Sequence, residues 1–365
     1  MLFMPRGRKN KVAKLLERPF LVEPVNVFEY EALAQAKMDP AHWDYIQGGS
    51  DDEVTLRANR AAFERIRLRP RVLVDVRTSV IEMRTSVLGM PISMPIMVAP
   101  MAMHCLAHPE GECATAQAAG RANTLMVAST TATRSLEEIA QAASGPLWFQ
   151  LYVYPSLQFA EKLVHRAEAA GYRAIVLTVD LPILGNREKD RRNNVTIPPP
   201  PFREANFVGV DKTGQRWVSL TWESLHWLRS ITSLPILLKG ILTAEDAQLA
   251  VEHGMDGIIV SNHGGRQLDT ALASIEALPE IVEAVAGRCE VYFDGGIRRG
   301  TDILKALSLG VRAVLVGRPV LWGLAVDGAE GAYHVLEMLR KELELAMALS
   351  GRPMLKSIDR TLLKM

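Results

Sequence analysis

Eight short apolar runs, separated by longer helical segments, constrain the fold of this chain more than any other feature of its sequence. Most of the runs are rich in Val, Ile and Leu and are bounded by Gly, Pro or polar residues, which is typical of parallel strands buried on both faces. Eight such strands that alternate with helices predict an α/β fold, a closed (β/α)8 or TIM barrel. An open doubly wound sheet is the alternative, but the regularity of the eight units favours closure. The runs are Pro95–Pro100, Thr124–Ser129, Leu147–Tyr152, Ala174–Asp180, Pro235–Gly240, Gly257–Asn262, Glu290–Gly295 and Ala313–Gly317.

The segments between and before the runs have the end signals of helices. Ahead of the barrel, Val27–Ala36 and His42–Gln47 predict a helical lead-in. The segment Ile197–Gly214 contains four consecutive prolines and predicts a long loop after the fourth strand, a candidate cover for an active site. We assign residues 1–24 to a basic N-terminal tail and residues 25–365 to one barrel domain. Helices are predicted at Glu110–Arg121, Leu157–Ala170, Thr243–His253 and Thr301–Leu309, the last three each followed by a glycine that favours termination.

The composition excludes several classes of partner and site. Lys and Arg number 42 against 41 Asp and Glu, and a net charge of +1 argues against bulk electrostatic binding to nucleic acid or membrane, although it says nothing about a local basic pocket. No apolar run reaches the roughly 18 residues that a membrane-spanning helix needs. The cysteines, Cys105, Cys113 and Cys289, form neither a disulfide framework nor a paired metal spacing. We therefore expect a reducing, cytoplasmic setting and no metal site.

Polar side chains gather where the predicted strands end. In such barrels the active site forms at the carboxyl ends of the strands. Seven of the eight ends carry a side chain capable of polar chemistry, which is more orderly than chance decoration. They include Ser129, Gln150, Tyr152, Thr178, Asp180, Lys239, Ser261, His263, Asp294, Arg298 and Arg318, with Arg187 shortly after the fourth strand.

The ends of strands 7 and 8 carry two phosphate-binding signals. Strand 7 runs into Asp294-Gly295-Gly296-Ile297-Arg298, and strand 8 ends in Gly317-Arg318. Glycines let backbone N–H groups approach an anion, arginine adds a charged fork, and a helix predicted from Thr301 adds its dipole. Tight turns alone would also explain the glycines. Two signals in the usual phosphate position of a barrel favour a phosphate site.

The sharpest signal is the segment Ser261-Asn262-His263-Gly264-Gly265-Arg266-Gln267-Leu268-Asp269. His263 directly follows an apolar strand, and a histidine there can act as a base near neutral pH. Arg266 lies three residues later, within range of a carboxylate on the same ligand. A lone histidine is usually structural, but one followed by Gly-Gly-Arg at a barrel rim predicts a functional residue.

These motifs resemble those of the FMN-dependent L-2-hydroxy-acid oxidases and dehydrogenases, a family that includes glycolate oxidase and lactate oxidase. The resemblance covers about Val25 to Lys356, nearly the whole chain. Besides the His263 segment, the matching strings are Trp43-Asp44-Tyr45, Ala107-His108-Pro109-Glu110-Gly111-Glu112, Phe149-Gln150-Leu151-Tyr152, Leu177-Thr178-Val179-Asp180, Leu237-Leu238-Lys239-Gly240, Asp294-Gly295-Gly296 and Val316-Gly317-Arg318-Pro319.

The resemblance implies an FMN site and a role for each matching residue. Lys239 would lie near the flavin N1 and O2, where negative charge builds on reduction. The substrate carboxylate would meet Tyr45, Arg187 and Arg266. Tyr152 would hydrogen-bond the substrate hydroxyl or the developing oxo group, His263 would take the hydroxyl proton, and Asp180 would orient His263. FMN would contact Pro100, Met101, Ala102, Ser129, Gln150, Thr178, Lys239 and Ser261, with its phosphate end at Asp294, Gly295, Gly296, Ile297, Arg298, Gly317 and Arg318.

Two departures from glycolate-oxidase-like members bear on the substrate. Those members have threonine where this chain has Met101 and tryptophan where it has Thr131, so the pocket around the substrate C3 should differ. One methylene is worth about 1–3 kcal/mol in such discrimination, and a more apolar wall favours L-lactate over glycolate. Oxygen is the expected acceptor, giving hydrogen peroxide, and a dehydrogenase that uses another acceptor stays open.

Two other function classes are alternatives to a flavin oxidase, and the sequence also predicts an oligomeric state. A non-redox phosphate-binding barrel, an isomerase or lyase, is one alternative, and a catalytically inactive assembly subunit is the other. The presence of His263 and both arginines argues against the second. The resemblance, together with a long apolar-rich C-terminal helix predicted at Ala332–Leu349, predicts a homo-oligomer, a tetramer.

Overall fold

The computed structural model describes residues 23–77, 80–194, 201–210 and 218–364. Nearly all of the predicted basic tail, residues 1–24, lies outside these residues. The predicted cover loop, Ile197–Gly214, lies partly outside them.

Eight parallel strands close into a barrel, as the apolar runs predict. Consecutive strands pair in chain order, and the eighth pairs with the first, where Val314 lies opposite Ile96. Closure of this kind excludes the open doubly wound sheet. Most strands begin or end one or two residues inside the predicted runs. They are β1 (Ile96–Val98), β2 (Met126–Ser129), β3 (Leu147–Leu151), β4 (Ile175–Thr178), β5 (Ile236–Ile241), β6 (Gly257–Val260), β7 (Glu290–Asp294) and β8 (Ala313–Val316).

Helices surround the barrel, and a capping residue marks where a helix begins. The Thr243 side chain accepts a hydrogen bond from the Asp246 backbone N–H at 3.2 Å, so Thr243 caps its helix. The final helix bends where Asp327 and Gly328 leave helical geometry. Within the described residues the helices are α1 (Val27–Lys37), α2 (Pro40–Gln47), α3 (Val54–Arg65), α4 (Gly111–Arg121), α5 (Leu136–Ala142), α6 (Leu157–Ala169), α7 (Glu188–Arg192), α8 (Ser224–Ile231), α9 (Ala244–Glu252), α10 (Ser274–Val285), α11 (Gly300–Ser308) and α12 (Arg318–Leu349).

The barrel interior is packed with side chains, so a ligand binds at its end rather than within it. Trp148 and Tyr292 meet edge to face inside the barrel, with ring centroids 5.4 Å apart. A hairpin of two short strands, Thr85–Val87 and Met90–Ile92, contributes Val87 and Ile92 to the same interior cluster. Because the Leu88 backbone N–H donates to the Glu290 carboxylate, at the start of β7, this hairpin covers the amino-terminal end of the barrel. The carboxyl-terminal end is therefore the one left for a binding site.

The helical lead-in reaches the carboxyl-terminal end of the barrel. The backbone carbonyl groups of Tyr45 and Gly48, at α2, accept hydrogen bonds from Arg266. At the other end of the lead-in, Arg67–Leu68 pairs antiparallel with Leu363–Lys364 near the C-terminus. None of the helices in the described part of the chain is long and apolar enough to cross a membrane.

Candidate active site

A cavity of about 430 Å³ opens at the carboxyl ends of the strands. All the site residues predicted from the sequence line it, except Asp180 and Ser261, which lie directly behind it. The structure thus brings residues from every barrel strand end, and from α2, to one place. The predicted residues in the lining are Tyr45, Pro100, Met101, Ala102, Ser129, Gln150, Tyr152, Thr178, Arg187, Lys239, His263, Arg266, Asp294, Gly295, Gly296, Ile297, Arg298, Gly317 and Arg318.

The turn after β6 presents His263 to the cavity through a rare backbone conformation. His263, Gly264 and Gly265 have φ values of +57°, +67° and +74°. Left-handed backbone is unfavourable for a residue with a side chain, and costs about 1–3 kcal/mol at a strained site. Two hydrogen bonds hold the turn: His263 N–H to Ser261 Oγ at 3.1 Å, and Gly265 N–H to Asn262 Oδ1 at 3.1 Å. The two glycines that follow His263 are therefore what the turn requires.

Asp180 fixes the orientation of the His263 ring. The His263 Nδ1 lies 2.8 Å from Asp180 Oδ1, and both side chains are almost fully buried. We assign the proton of this bond to Nδ1, because a carboxylate can only accept. The lone pair of Nε2 then points to the cavity, where the Tyr152 hydroxyl lies 3.4 Å away. Gly240 makes room for the pair, since a Cβ there would lie 2.5 Å from the Asp180 Cβ.

The electrostatics of the pair keep His263 neutral and Asp180 ionised. Burial lowers the pKa of His263 below its ordinary value of 6.5, although Asp180 raises it in part. Burial acts in the opposite sense on the carboxyl. The positive charge that His263 has when protonated, its hydrogen bond and the Lys239 ammonium nevertheless hold the pKa of Asp180 below its usual range. A neutral imidazole whose Nε2 lone pair faces the cavity is a base ready to accept a proton.

Two buried guanidinium groups, of Arg187 and Arg266, lie beside His263. Arg266 Nη1 donates to the Tyr45 and Gly48 carbonyl groups at 2.6 and 3.0 Å, and its guanidinium carbon lies 5.0 Å from the Tyr45 ring centroid. Burial, followed by the charge of Arg187, lowers the pKa of Arg266 to about 10, so it stays charged at neutral pH. Neither arginine has an ion-pair partner among the described residues. An anionic ligand between the two would relieve their repulsion.

A second pair of buried arginines lies at the ends of β7 and β8. Within the described residues, Arg318 donates only to backbone carbonyl groups, those of Ile46, Gly48 and Gly264, and burial lowers its pKa to about 9. Arg298 lies over the Trp322 ring at 4.6 Å, and burial lowers its pKa to about 10. Neither forms an ion pair within the part of the chain that the structure describes. Such a pair suits a multiply charged anion such as phosphate.

The backbone just before Arg298 lines the cavity. Gly295 and Gly296 have φ values of +114° and +79°. A Cβ at Gly296 would also collide with the Asn59 backbone carbonyl of α3. The two glycines predicted as part of a phosphate site therefore occupy positions that only glycine fits well.

A polar network floors the cavity between the two arginine pairs. Lys239 Nζ donates to Ser261 Oγ at 2.9 Å and lies 3.2 Å from Asp294 Oδ2. Gln150 Oε1 accepts from Ser129 Oγ at 3.1 Å, and its Nε2 donates to Thr178 Oγ1 at 3.0 Å. Amide and hydroxyl groups around a buried ammonium match the polar edge of a flavin ring. With the phosphate-type arginines at one end, the residues present fit FMN.

The structure adds lining residues that the sequence patterns did not reveal. Leu181 and Leu184 follow β4, Tyr154 follows β3, and Glu204 comes from the predicted cover loop. Met101, predicted to form an apolar wall, lies against Gly317, where a Cβ would meet its Sδ at 3.4 Å. The position of Leu181 directly after Asp180 was a signal that could have identified it. No local motif marks Tyr154 or Glu204.

Asn59 of α3 is a supporting residue that sequence reasoning missed. Its amide and that of Asn262 exchange two hydrogen bonds, at 2.9 and 2.8 Å, and both side chains are buried. The Asn59 Oδ1 also accepts from the Ser274 backbone N–H at 3.2 Å. The lead-in helix is thereby joined to the turn that carries His263.

Comparison with known proteins gives the same assignment for most of the chain. Residues 34–365 match the family described as FMN-dependent dehydrogenase. The chain is 53% identical to an L-lactate oxidase of Nostoc sp. over 93% of its own length and 98% of that protein. It is 51% identical to a glycolate oxidase of Spinacia oleracea, over 93% and 95% of the two chains. A crystal structure of mandelate oxidase, 44% identical, superposes with a TM-score of 0.88 over 94% of this chain and 98% of that one.

The family match and the site agree with each other. A flavin enzyme accounts for the two arginine pairs and for the polar floor, whereas the non-redox isomerase or lyase left open by the sequence patterns has no support from these matches. The chain belongs to the family of FMN-dependent dehydrogenases, and its cofactor is FMN.

Proposed function

We propose that this protein oxidises a small L-2-hydroxy acid, with L-lactate as its best substrate, and passes the electrons to oxygen to give hydrogen peroxide. One observation carries the proposal. The His263 Nε2 faces a cavity that also presents the guanidinium groups of Arg187 and Arg266, with Asp180 behind the imidazole. A base beside a carboxylate-binding pair is what removal of a proton from a hydroxy acid requires.

The substrate carboxylate binds between Arg187 and Arg266. Both guanidinium groups are buried and hydrogen-bond only backbone carbonyl groups among the described residues, so each keeps N–H donors for a ligand. The Tyr45 ring packs against Arg266. In this proposal its hydroxyl group is the third group that binds the carboxylate. This fixes the carboxylate end of the substrate. Substrates then differ in how well their C3 group packs against the cavity wall.

His263 and its neighbours handle the proton. The Nε2 of His263 takes the hydroxyl proton, Tyr152 hydrogen-bonds the same oxygen, and the imidazolium that forms is stabilised by Asp180. When bound, FMN would supply the acceptor for the hydrogen and electron pair of the substrate C2–H bond, which breaks as the hydroxyl carbon becomes a carbonyl. Lys239, buried at the cavity floor, would provide positive charge where negative charge develops, and Arg298 and Arg318 would hold the phosphate group.

The cavity walls favour a methyl group on the substrate. Thr131 contributes a small side chain to the lining, and Met101, Leu181 and Leu184 make it more apolar. The names of the relatives, an L-lactate oxidase among them, agree with a small hydroxy acid. Because Thr131 is small, larger acids such as mandelate belong in the same test series.

One stopped-flow series tests substrate and acceptor together. The enzyme is reduced anaerobically with L-lactate, glycolate or mandelate, and the reduced enzyme is then mixed with oxygen. We expect the fastest reduction with L-lactate and reoxidation fast enough to support turnover. Faster reduction by glycolate would contradict the substrate proposal, and slow reoxidation would make the protein a dehydrogenase.

We further propose a cytoplasmic homotetramer. The support is the family membership and the apolar α12, two of whose large apolar side chains, Leu345 and Leu349, are exposed. Light scattering of the purified holoenzyme should give four times the chain mass of 40.3 kDa. A monomer mass would contradict the proposal.

A further inference from the structure

Gln267 lies directly after Arg266, but its side chain hydrogen-bonds a different loop, the one after β4. The Nε2 donates to the backbone carbonyl groups of Asp180 and Ile183, both at 2.9 Å. The Oε1 accepts from the Gly185 backbone N–H at 3.2 Å. Every polar atom of the Gln267 amide is therefore used on the six-residue stretch 180–185, which comes shortly after β4.

That stretch connects two residues of the proposed chemistry. Asp180 begins it and Arg187 follows shortly after its end, while the loop that carries Gln267 also carries His263 and Arg266. The two loops are close-packed, because a Cβ at Gly185 would collide with the backbone carbonyl of Arg266.

In the part of the chain that the structure describes, Gln267 makes more hydrogen bonds between the two loops than any other residue. Apart from the His263–Asp180 bond, the remaining hydrogen bond between the loops within these residues, from Arg187 Nε to the Arg266 carbonyl group, is long at 3.5 Å. The His263–Asp180 bond belongs to the proton-transfer machinery and has to change strength during the reaction. A neutral amide with three hydrogen bonds keeps its geometry while charges change around it.

We infer that Gln267 is a positioning residue that sets two separations at once, between the guanidinium groups of Arg187 and Arg266 and between Asp180 and His263. The inference rests on the proposed function, since it concerns the same site. Its effect is indirect, because Gln267 itself does not line the cavity.

Two isosteric variants remove the tie in different ways. Gln267→Met keeps the length of the side chain and removes all three hydrogen bonds. Gln267→Glu keeps an acceptor for Gly185 but cannot donate to the carbonyl groups of Asp180 and Ile183. Gln267 is only partly buried, so neither change leaves a core cavity. Gln248→Met is the matched control, because the Gln248 amide donates only to Glu252 on the exposed surface of α9.

The first readout is the affinity for propionate, measured by its perturbation of the flavin spectrum. Propionate has the carboxylate of L-lactate and no hydroxyl group, so it reports the arginine pair without the base. We expect its dissociation constant to rise about tenfold in both Gln267 variants, comparable to the loss of one hydrogen bond to a charged group. The control should leave it unchanged.

The second readout is the pH profile of kcat/KM for L-lactate. Asp180 raises the pKa of His263, so a looser pair lowers that pKa and moves the acidic limb to lower pH. We expect this shift together with a loss of kcat/KM of about 10²-fold, the cost of a displacement near 1 Å. FMN affinity should change much less than propionate affinity, because Arg298 and Arg318 belong to the ends of β7 and β8, and a single hydrogen bond, from Arg318 to Gly264, links them to this loop in the described residues.

The outcomes separate the inference from the proposed function. Unchanged propionate affinity and an unmoved acidic limb would overturn the positioning role. Unfolding of both Gln267 variants would also overturn it, by assigning the residue to stability alone. Failure of the wild-type enzyme to be reduced by any 2-hydroxy acid would instead refute the proposed function, and propionate binding would still be measurable.

Discussion

Replacing Asp180 by asparagine tests the proposed proton transfer most directly. The change keeps the shape of the side chain and removes its charge. In the wild-type enzyme the imidazolium of His263 forms only as the substrate proton arrives. The attraction of Asp180 therefore stabilises the transition state more than the ground state, which is the condition for a catalytic effect.

The size of the effect follows from the geometry of the pair. Nδ1 and Oδ1 are 2.8 Å apart, and the side chains are only 16% and 11% exposed. Taking the charge centres as about 4 Å apart, an effective dielectric constant of about 20 gives an attraction of about 4 kcal/mol. At about 1.4 kcal/mol per factor of ten, anaerobic flavin reduction by L-lactate should slow by about 10³-fold.

The protonation of the ring adds a second effect in the same direction. If the amide nitrogen of the asparagine faces Nδ1, it donates there and forces the proton onto Nε2, which removes the base. If the amide oxygen faces Nδ1, the nitrogen takes the place of Oδ2, a buried atom with no hydrogen-bond partner among the described residues. Reduction is slow in both arrangements.

The pH dependence gives an independent check. Wild-type kcat/KM should fall as the pH drops through the pKa of His263, which burial places below 6.5. Asp180 raises that pKa, so in Asp180→Asn the acidic limb moves to lower pH. Asp256→Asn is the control, since it breaks a 2.7 Å ion pair with Arg229 at the opposite end of the barrel. A reduction rate within tenfold of wild type, or a limb moved to higher pH, would refute the reasoning.

Three further changes have expected outcomes. His263→Gln should slow anaerobic flavin reduction by about 10²–10⁴-fold while FMN stays bound, as absorbance of the purified protein will show. Arg298→Met should weaken FMN binding, measured by ultrafiltration of released flavin, and leave propionate affinity of the flavin-loaded fraction unchanged; intact FMN affinity would remove Arg298 from the phosphate site. Combining Met101→Thr with Thr131→Trp should shift the ratio of kcat/KM values from L-lactate towards glycolate, and an unchanged ratio would exclude these two positions as determinants of specificity.

The fold could be predicted from the sequence because its signals are local. Each barrel strand packs against helices on its outer face and against side chains of the barrel interior on its inner face. Both faces are therefore apolar, and the sequence shows the same short apolar run eight times. Strand ends could be predicted only to within a few residues, since the apolar runs continue past the last ladder hydrogen bond. Thr243 shows the local rule at its clearest, because a helix cap depends on residues three apart.

The sequence was enough to predict which residues line the site, but not which contacts hold those residues in place. Parallel strands that close into a barrel bring their carboxyl ends together, so naming the polar residues at those ends was enough to find the cavity lining. The contacts that hold these residues connect segments far apart in the chain: Asn59 with Asn262, and Arg266 with Tyr45. A local sequence pattern cannot predict such pairs, because they form only when the helical lead-in packs against the closed barrel.

The charge of the cavity suits the two anions of the proposed function, although the whole chain is nearly neutral. Among the described residues, five cationic side chains line the cavity, those of Arg187, Lys239, Arg266, Arg298 and Arg318, against the two carboxylates of Glu204 and Asp294. The cavity thus has an excess of three positive charges, while the whole chain has a net charge of +1. A phosphate group has a charge of about −1.5 to −2 near neutral pH, and a substrate carboxylate adds one more negative charge. On the proposed assignment the two ligands together would nearly neutralise the lining, and each arginine that hydrogen-bonds only backbone carbonyl groups in the described residues would gain an anionic partner.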